Sequence, residues 1–117
     1  MPQITVEYSA SLAEAFDRQG FAQIFHPAAA DLISSSVPGF KTRFLRLDEA
    51  VIGAGGPTEA MIHLTIALLP GRDEPLKGRL ADLALSILAD HLKPTPELNP
   101  QLTVEVRDLA TYRKHAH

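Results

Sequence analysis

The chain contains no cysteine at all. That absence excludes a disulfide framework, a zinc site built on thiolates and any nucleophilic thiol, and it fits a reducing compartment. Positive charge is also in short supply, since 11 Lys and Arg stand against 14 Asp and Glu for a net charge of −3. With no basic block and no aromatic-rich basic face, nucleic acid is not expected as a partner. Long apolar runs are missing too: none approaches the roughly 20 residues that cross a bilayer, and the start lacks the basic-then-apolar pattern of a signal peptide. No membrane is expected, and the sequence reads as a soluble, cytoplasmic protein.

What is present is 117 residues, 45% of them hydrophobic. A chain of this length suits one domain, spanning residues 1–117, that buries roughly 60–70% of its unfolded surface. Residues 3–8 alternate, with Ile4, Val6 and Tyr8 on one face and Gln3, Thr5 and Glu7 on the other, as a strand does. Ser9 and Ser11 are candidate helix caps. Phe21, Ile24, Phe25, Ala28, Ala29, Leu32 and Ile33 then recur at helical spacing, predicting a helix from about Gly20 to Ser35 with a kink or restart at Pro27. A turn at Val37-Pro38-Gly39 leads into a second strand, FKTRFLRLD, on which Lys41 and Arg43 share a side.

After a loop, EAVIGAGGPTE, the run AMIHLTIALL reads as a strand buried on both faces. Asp73 is placed to cap a helix with Pro75 in its first turn, an apolar stripe of Leu76, Leu80, Leu83, Ile87 and Leu88, and an end near Lys93. A proline-rich loop, KPTPELNPQ, precedes a last strand, LTVEVRDL, with Leu102, Val104 and Val106 inward. The order is strand, helix, strand, twice. It predicts two fused βαβ units, residues 1–48 and 58–110, joined in one four-stranded mixed α/β sheet with both helices on one face. Because Met61, Thr65 and Ala67 lie opposite the buried side of the third strand, an apolar second face is expected, and with it an oligomer.

Several tempting groups have plainer readings. His63 in an apolar strand fits a hydrogen-bonded core or interface histidine better than a ligand, and His26 and His91 read as helix-end residues. His115 and His117 close a tail. No metal-binding spacing links them, so no metal is assigned. GAGG at 53–56 lacks a following Lys-Ser/Thr and supplies turn geometry rather than a phosphate cradle. Glu7 and Glu105 sit on strand faces, where solvated or interface roles are favoured over an acid/base pair. The opening Met-Pro is different: removal of Met1 would expose the secondary amine of Pro2, a reactive group.

The segments MPQITVEYSASL, GFKTR, MIHLTIALLPGR and LTVEVRDL, in that order over most of the chain, resemble the 5-carboxymethyl-2-hydroxymuconate isomerase family of the tautomerase superfamily. The initial Met-Pro with its Glu-aromatic-Ser strand end, and the His-x-Thr strand running into Gly-Arg, are the most specific parts. The resemblance implies a homotrimer with sheets facing inward, no cofactor, and Pro2 as the proton shuttle of a tautomerase of aromatic catabolism. It places Arg72 at the family's arginine after the third strand. Lys41 falls where the family has another arginine, so either Lys41 acts as a point charge or Arg43 supplies the carboxylate clamp.

Chemistry gives these residue types their reason. An amine works as a base near neutrality only when an apolar pocket or neighbouring cations disfavour its ammonium form, and the ammonium can then return the proton to another carbon. Guanidinium groups hold carboxylates and meet the negative charge that grows on oxygen. The expected activity is therefore a cofactor-free isomerase shifting a proton in an unsaturated 2-hydroxy or 2-oxo carboxylic acid, a small-molecule carboxylate. Two alternatives stand beside it: a catalytically silent trimer with a binding or structural role, and a hydratase- or dehalogenase-type relative.

Overall fold

A computed structural model describes residues 2–117; the expectation about removal of Met1 falls outside the described residues. The elements are β1 (Gln3–Ser9), α1 (Arg18–Ile33), β2 (Lys41–Leu47), β3 (Glu59–Leu68), α2 (Glu74–Asp90) and β4 (Asn99–Asp108). They form one four-stranded sheet in the order β2-β1-β3-β4. β1 runs parallel to β2 and β3 parallel to β4, while β1 and β3 meet antiparallel at the centre. Each strand-helix-strand passage thus closes a parallel pair through its helix, and the mixed sheet expected from the element order results.

The core lies between sheet and helices. Ile4, Val6, Ile62, Leu64, Ile66 and Leu68 cover one sheet face, and Phe21, Phe25, Leu80 and Leu88 descend onto it from α1 and α2. Ile24, assigned to the apolar stripe from its spacing, instead stands 54% exposed on the outer side of α1.

α1 begins two residues earlier than expected because Asp17 caps it, its carboxylate accepting from the Gly20 amide at 3.0 Å. Gly20 belongs to that device: a Cβ there would run into the Asp17 carboxylate. Pro27 stays inside one continuous helix. Both Pro27 and Gln23, whose carbonyl loses its bond to the missing N–H, are exposed, so the orphaned oxygen is on the solvent side of the helix. Ser9 caps nothing; its Oγ accepts from the Met61 amide at 2.8 Å and ties β1 to β3. Asp73 does cap α2, accepting from the Leu76 amide at 2.9 Å.

α2 stops at Asp90, short of Lys93, because the chain there leaves the helix to bond the segment before α1. The Asp17 amide donates to the His91 carbonyl at 2.8 Å and the Lys93 amide to that of Ala15 at 2.9 Å. β4 starts three residues earlier than expected and takes in Pro100, which an edge strand accepts. Gly53, Gly55 and Gly56 all have positive φ, so the β2–β3 loop uses its glycines for turn geometry.

The reading of β3 as buried on both faces needs correction. Its residues alternate strictly between buried and half-buried. The half-buried side shares the open sheet face with Gln3, Thr5 and Glu7 of β1, Lys41 and Arg43 of β2, and Thr103, Glu105 and Arg107 of β4. That face is chiefly polar around Met61 and Ala67; judged from β3 alone it looked apolar.

Candidate active site at the head of the first strand

Pro2 immediately precedes β1, an inner strand flanked by β2 and β3. Since Ile4 points to the helices, alternation puts the Pro2 ring on the same side, and its side chain is fully buried. One rung beyond the pairs Gln3–Lys41 and Gln3–Ala67, Pro2 is level with Phe40 and Leu68, themselves buried. Its carbonyl accepts from the Lys41 amide at 3.2 Å. The surroundings of the imino residue are therefore apolar, the condition that disfavours an ammonium.

Arg72 follows β3 and is half-buried. Its Nη2 donates to the carbonyl of Ile33, the last residue of α1, at 3.3 Å. α1 returns antiparallel to β1, so its C-terminus lies at the Pro2 end of the sheet, and the guanidinium sits where the carbonyl end of the helix dipole favours a cation. Pro2 and Arg72 thus share the helix side of one sheet end.

Lys41 and Arg43 do not join them. Both are exposed and project from the opposite, open face. Lys41 Nζ donates to the Gly39 carbonyl at 3.4 Å, and Arg43 Nη1 donates to Gln3 Oε1 at 2.9 Å. Gln3 in turn donates from Nε2 to the Tyr112 hydroxyl at 2.9 Å. Sequence reasoning missed both Gln3 and Tyr112. Alternation shows that Gln3 faces away from the core, but no local signal connects it to a residue 109 positions away.

Further along the open face a second polar group forms. Glu105 Oε1 accepts from His63 Nε2 at 3.0 Å, from Arg107 Nη2 at 2.9 Å and from Thr65 Oγ1 at 3.2 Å, while His63 Nδ1 meets Thr103 Oγ1 at 2.7 Å. The hydrogen bond from His63, then that from Arg107, holds the Glu105 carboxyl down at about 2. Glu105 therefore pairs with His63 rather than Glu7, although Glu7 is opposite His63 in the sheet. His26 lies within α1 rather than at a helix end, its Nε2 at 2.7 Å from Thr42 Oγ1, and burial lowers its pKa. His91 is the C-cap of α2, with Nδ1 donating to the Ile87 carbonyl at 2.7 Å.

Among the described residues no group of three His, Cys, Asp or Glu side chains is placed to hold a metal, and no helix is long and apolar enough to cross a membrane. A cavity of about 510 Å³ opens between the helices beside Ala28, Leu32 and Leu83, and another of about 480 Å³ beside Phe16 and Phe44. Neither includes Pro2 among its lining residues.

The comparisons with known proteins converge on one fold. The family model for 5-carboxymethyl-2-hydroxymuconate isomerase matches residues 2–116. A 5-carboxymethyl-2-hydroxymuconate isomerase from Deinococcus radiodurans R1 superposes with a TM-score of 0.83 at 24% identity, over 98% of this chain and 90% of that one. A 5-carboxymethyl-2-hydroxymuconate delta-isomerase gives 0.84 at 16% identity, over 100% and 88%. A fused 4-OT solved as a symmetric trimer gives 0.73 at 19% identity, over 92% and 85%. No curated protein matches the sequence.

Proposed function

The chain belongs to the 5-carboxymethyl-2-hydroxymuconate isomerase family, isomerases of the tautomerase superfamily, and from that premise we propose that it shifts a proton within an unsaturated 2-hydroxy or 2-oxo carboxylic acid. Pro2, freed of Met1, is the base that removes the proton and, as the ammonium, the acid that returns it to a different carbon. The observation that carries this reading is the complete burial of Pro2 at the head of an inner strand. Apolar surroundings disfavour the charged amine and bring its basicity toward neutral pH. No cofactor is needed, because one group both takes and gives the proton.

Arg72 is the cation of that sheet end. Its remaining N–H groups would meet a carboxylate or the oxygen on which charge develops, while the Ile33 carbonyl fixes its direction. Lys41 and Arg43 hold a carboxylate from the open face. Because they face away from the Pro2 ring within one chain, a full pocket needs a second copy, and we assign the homotrimer to this chain. The solved relative described as a symmetric trimer supports that assembly.

Two measurements test the proposal. The intact mass of the mature protein should be short by one methionine. Pro2→Ala, which leaves a primary amine of different basicity, should lower kcat on a dienol acid by about 10²-fold or more, the usual contribution of a positioned acid/base, with the melting temperature held. Retained Met1 together with no turnover of any enol acid would instead favour a silent binding member.

A further inference from the structure

The two apolar neighbours of Pro2 are protected to different degrees. On one side Leu68 belongs to β3, an inner strand with β4 beyond it. On the other, Phe40 leads into β2, which is an edge of the sheet. A ring at a sheet edge stays dry only under cover from another element, and Phe40 is no more than 7% exposed. His26 of α1 lies against it, with ring centroids 5.4 Å apart and planes tilted by 40°.

The imidazole is tethered there. Its Nε2 is 2.7 Å from Thr42 Oγ1, and Thr42 stands two residues beyond Phe40 on the same helix side of the chain. One turn before and after His26, α1 has Ala22, Gln23, Ala29 and Ala30, none of them charged. On the helix side of β2, Phe44 follows Thr42, and Arg46 beyond it is paired with Asp48. With no carboxylate to hold a proton, burial lowers the pKa of the ring. His26 is therefore neutral at pH 7 and covers Phe40 without adding a charge beside Pro2. From the other elements, Arg72 after β3, Asp73 and Glu74 at the start of α2, and Asp108 of β4 stand at the Pro2 end of the sheet. Lys77 holds Glu74 at 2.9 Å and Asp108 at 3.5 Å.

We propose that His26, tethered by Thr42, is a positioning residue that acts on Pro2 through Phe40, keeping water from the β2 side of the base and so setting its basicity. The proposal rests on the reading of Pro2 as the base and adds to it a residue of α1 that never touches the substrate. Without the imidazole, water reaches Phe40 from the sheet edge. The ammonium of Pro2 then gains hydration, and the amine holds its proton to higher pH. A base that is already protonated at the working pH removes no proton from substrate.

The test uses the mature protein, its loss of Met1 confirmed by intact mass, with isotopic label at the proline nitrogens. Pro2 then holds the one proline nitrogen that is an amine, and its magnetic resonance shift against pH reads its pKa directly. His26→Ala should raise that pKa by about 1, a part of the roughly 3–5 that complete burial can impose. Below the pKa, kcat/KM for 2-hydroxymuconate should fall about tenfold, while the plateau at high pH stays within about twofold of wild type. Thr42→Val keeps the shape of the side chain and removes only the hydroxyl, so it is the milder variant where His26→Ala does not fold. It should move the amine in the same direction by a smaller amount. An amine that titrates at the wild-type pH in either variant would overturn the proposal, since a role in stability alone lowers Tm and leaves the titration in place. The nitrogen signal needs no turnover. If Pro2→Ala keeps full activity, the reading of the base fails, and the titration still decides whether His26 acts on Pro2.

Discussion

At the scale of single residues, the chain separates titration from burial. Glu105, although partly exposed, is kept ionised by the donors around it. The Glu105 carboxyl sits at about 2 in the folded protein against an ordinary 4.5. A depressed folded value means the unfolded chain binds the proton first, so this stabilisation is complete above 4.5 and disappears as pH falls toward 2. Urea unfolding of wild type and Glu105→Gln between pH 6 and pH 2 should show a gap that is widest at the upper end and closes on acidification. A gap independent of pH would mean that packing, not the hydrogen bonds from His63 and Arg107, sets the difference. Neither Glu105's partners nor the Gln3–Tyr112 contact was legible in the sequence, because each joins residues on different strands whose pairing no local pattern records.

At the scale of elements, the two helices contain one glycine each that behaves in opposite ways. Gly78 in α2 has open space where a Cβ would go, and Gly20 in α1 does not, because the capping Asp17 carboxylate fills it. Gly78→Ala should therefore stabilise the protein by about 0.5–1 kcal/mol, the backbone-entropy and propensity gain of alanine in a helix. Gly20→Ala should destabilise it, since the gain is outweighed by loss of a cap worth about 1 kcal/mol. Denaturant melts of the two variants decide the matter, and a stabilised Gly20→Ala would show that the cap contributes nothing. The Asp73 cap of α2 was readable because Pro75 and an apolar stripe follow it. The Asp17 cap is hidden in the sequence by Gly20, a residue that normally counts against a helix, and Pro27 suggests a kink or restart although its exposed position leaves the freed carbonyl open to solvent.

For the whole molecule, the proposed trimer brings three copies of 12.7 kDa together, about 38 kDa. Thr65, in the middle of the open face, is the place to test it. Thr65→Lys puts a long cation where the copies would meet, and sedimentation should show the variant as a monomer with most of its activity gone. An undisturbed assembly would place the contact on another surface. By itself the sequence determined the four strands, the two helices, their order and the inward faces, because alternation and helical spacing are local consequences of burying one side of each element. It also put Pro2 at the head of a strand and Lys41 with Arg43 on one strand side. Only the tertiary structure decided that Pro2 and Arg72 lie on one side of the sheet with Lys41 and Arg43 on the other, and that Tyr112 returns to Gln3. Which strands become neighbours, and which residues then share a row, is fixed by long-range packing that no stretch of local sequence encodes.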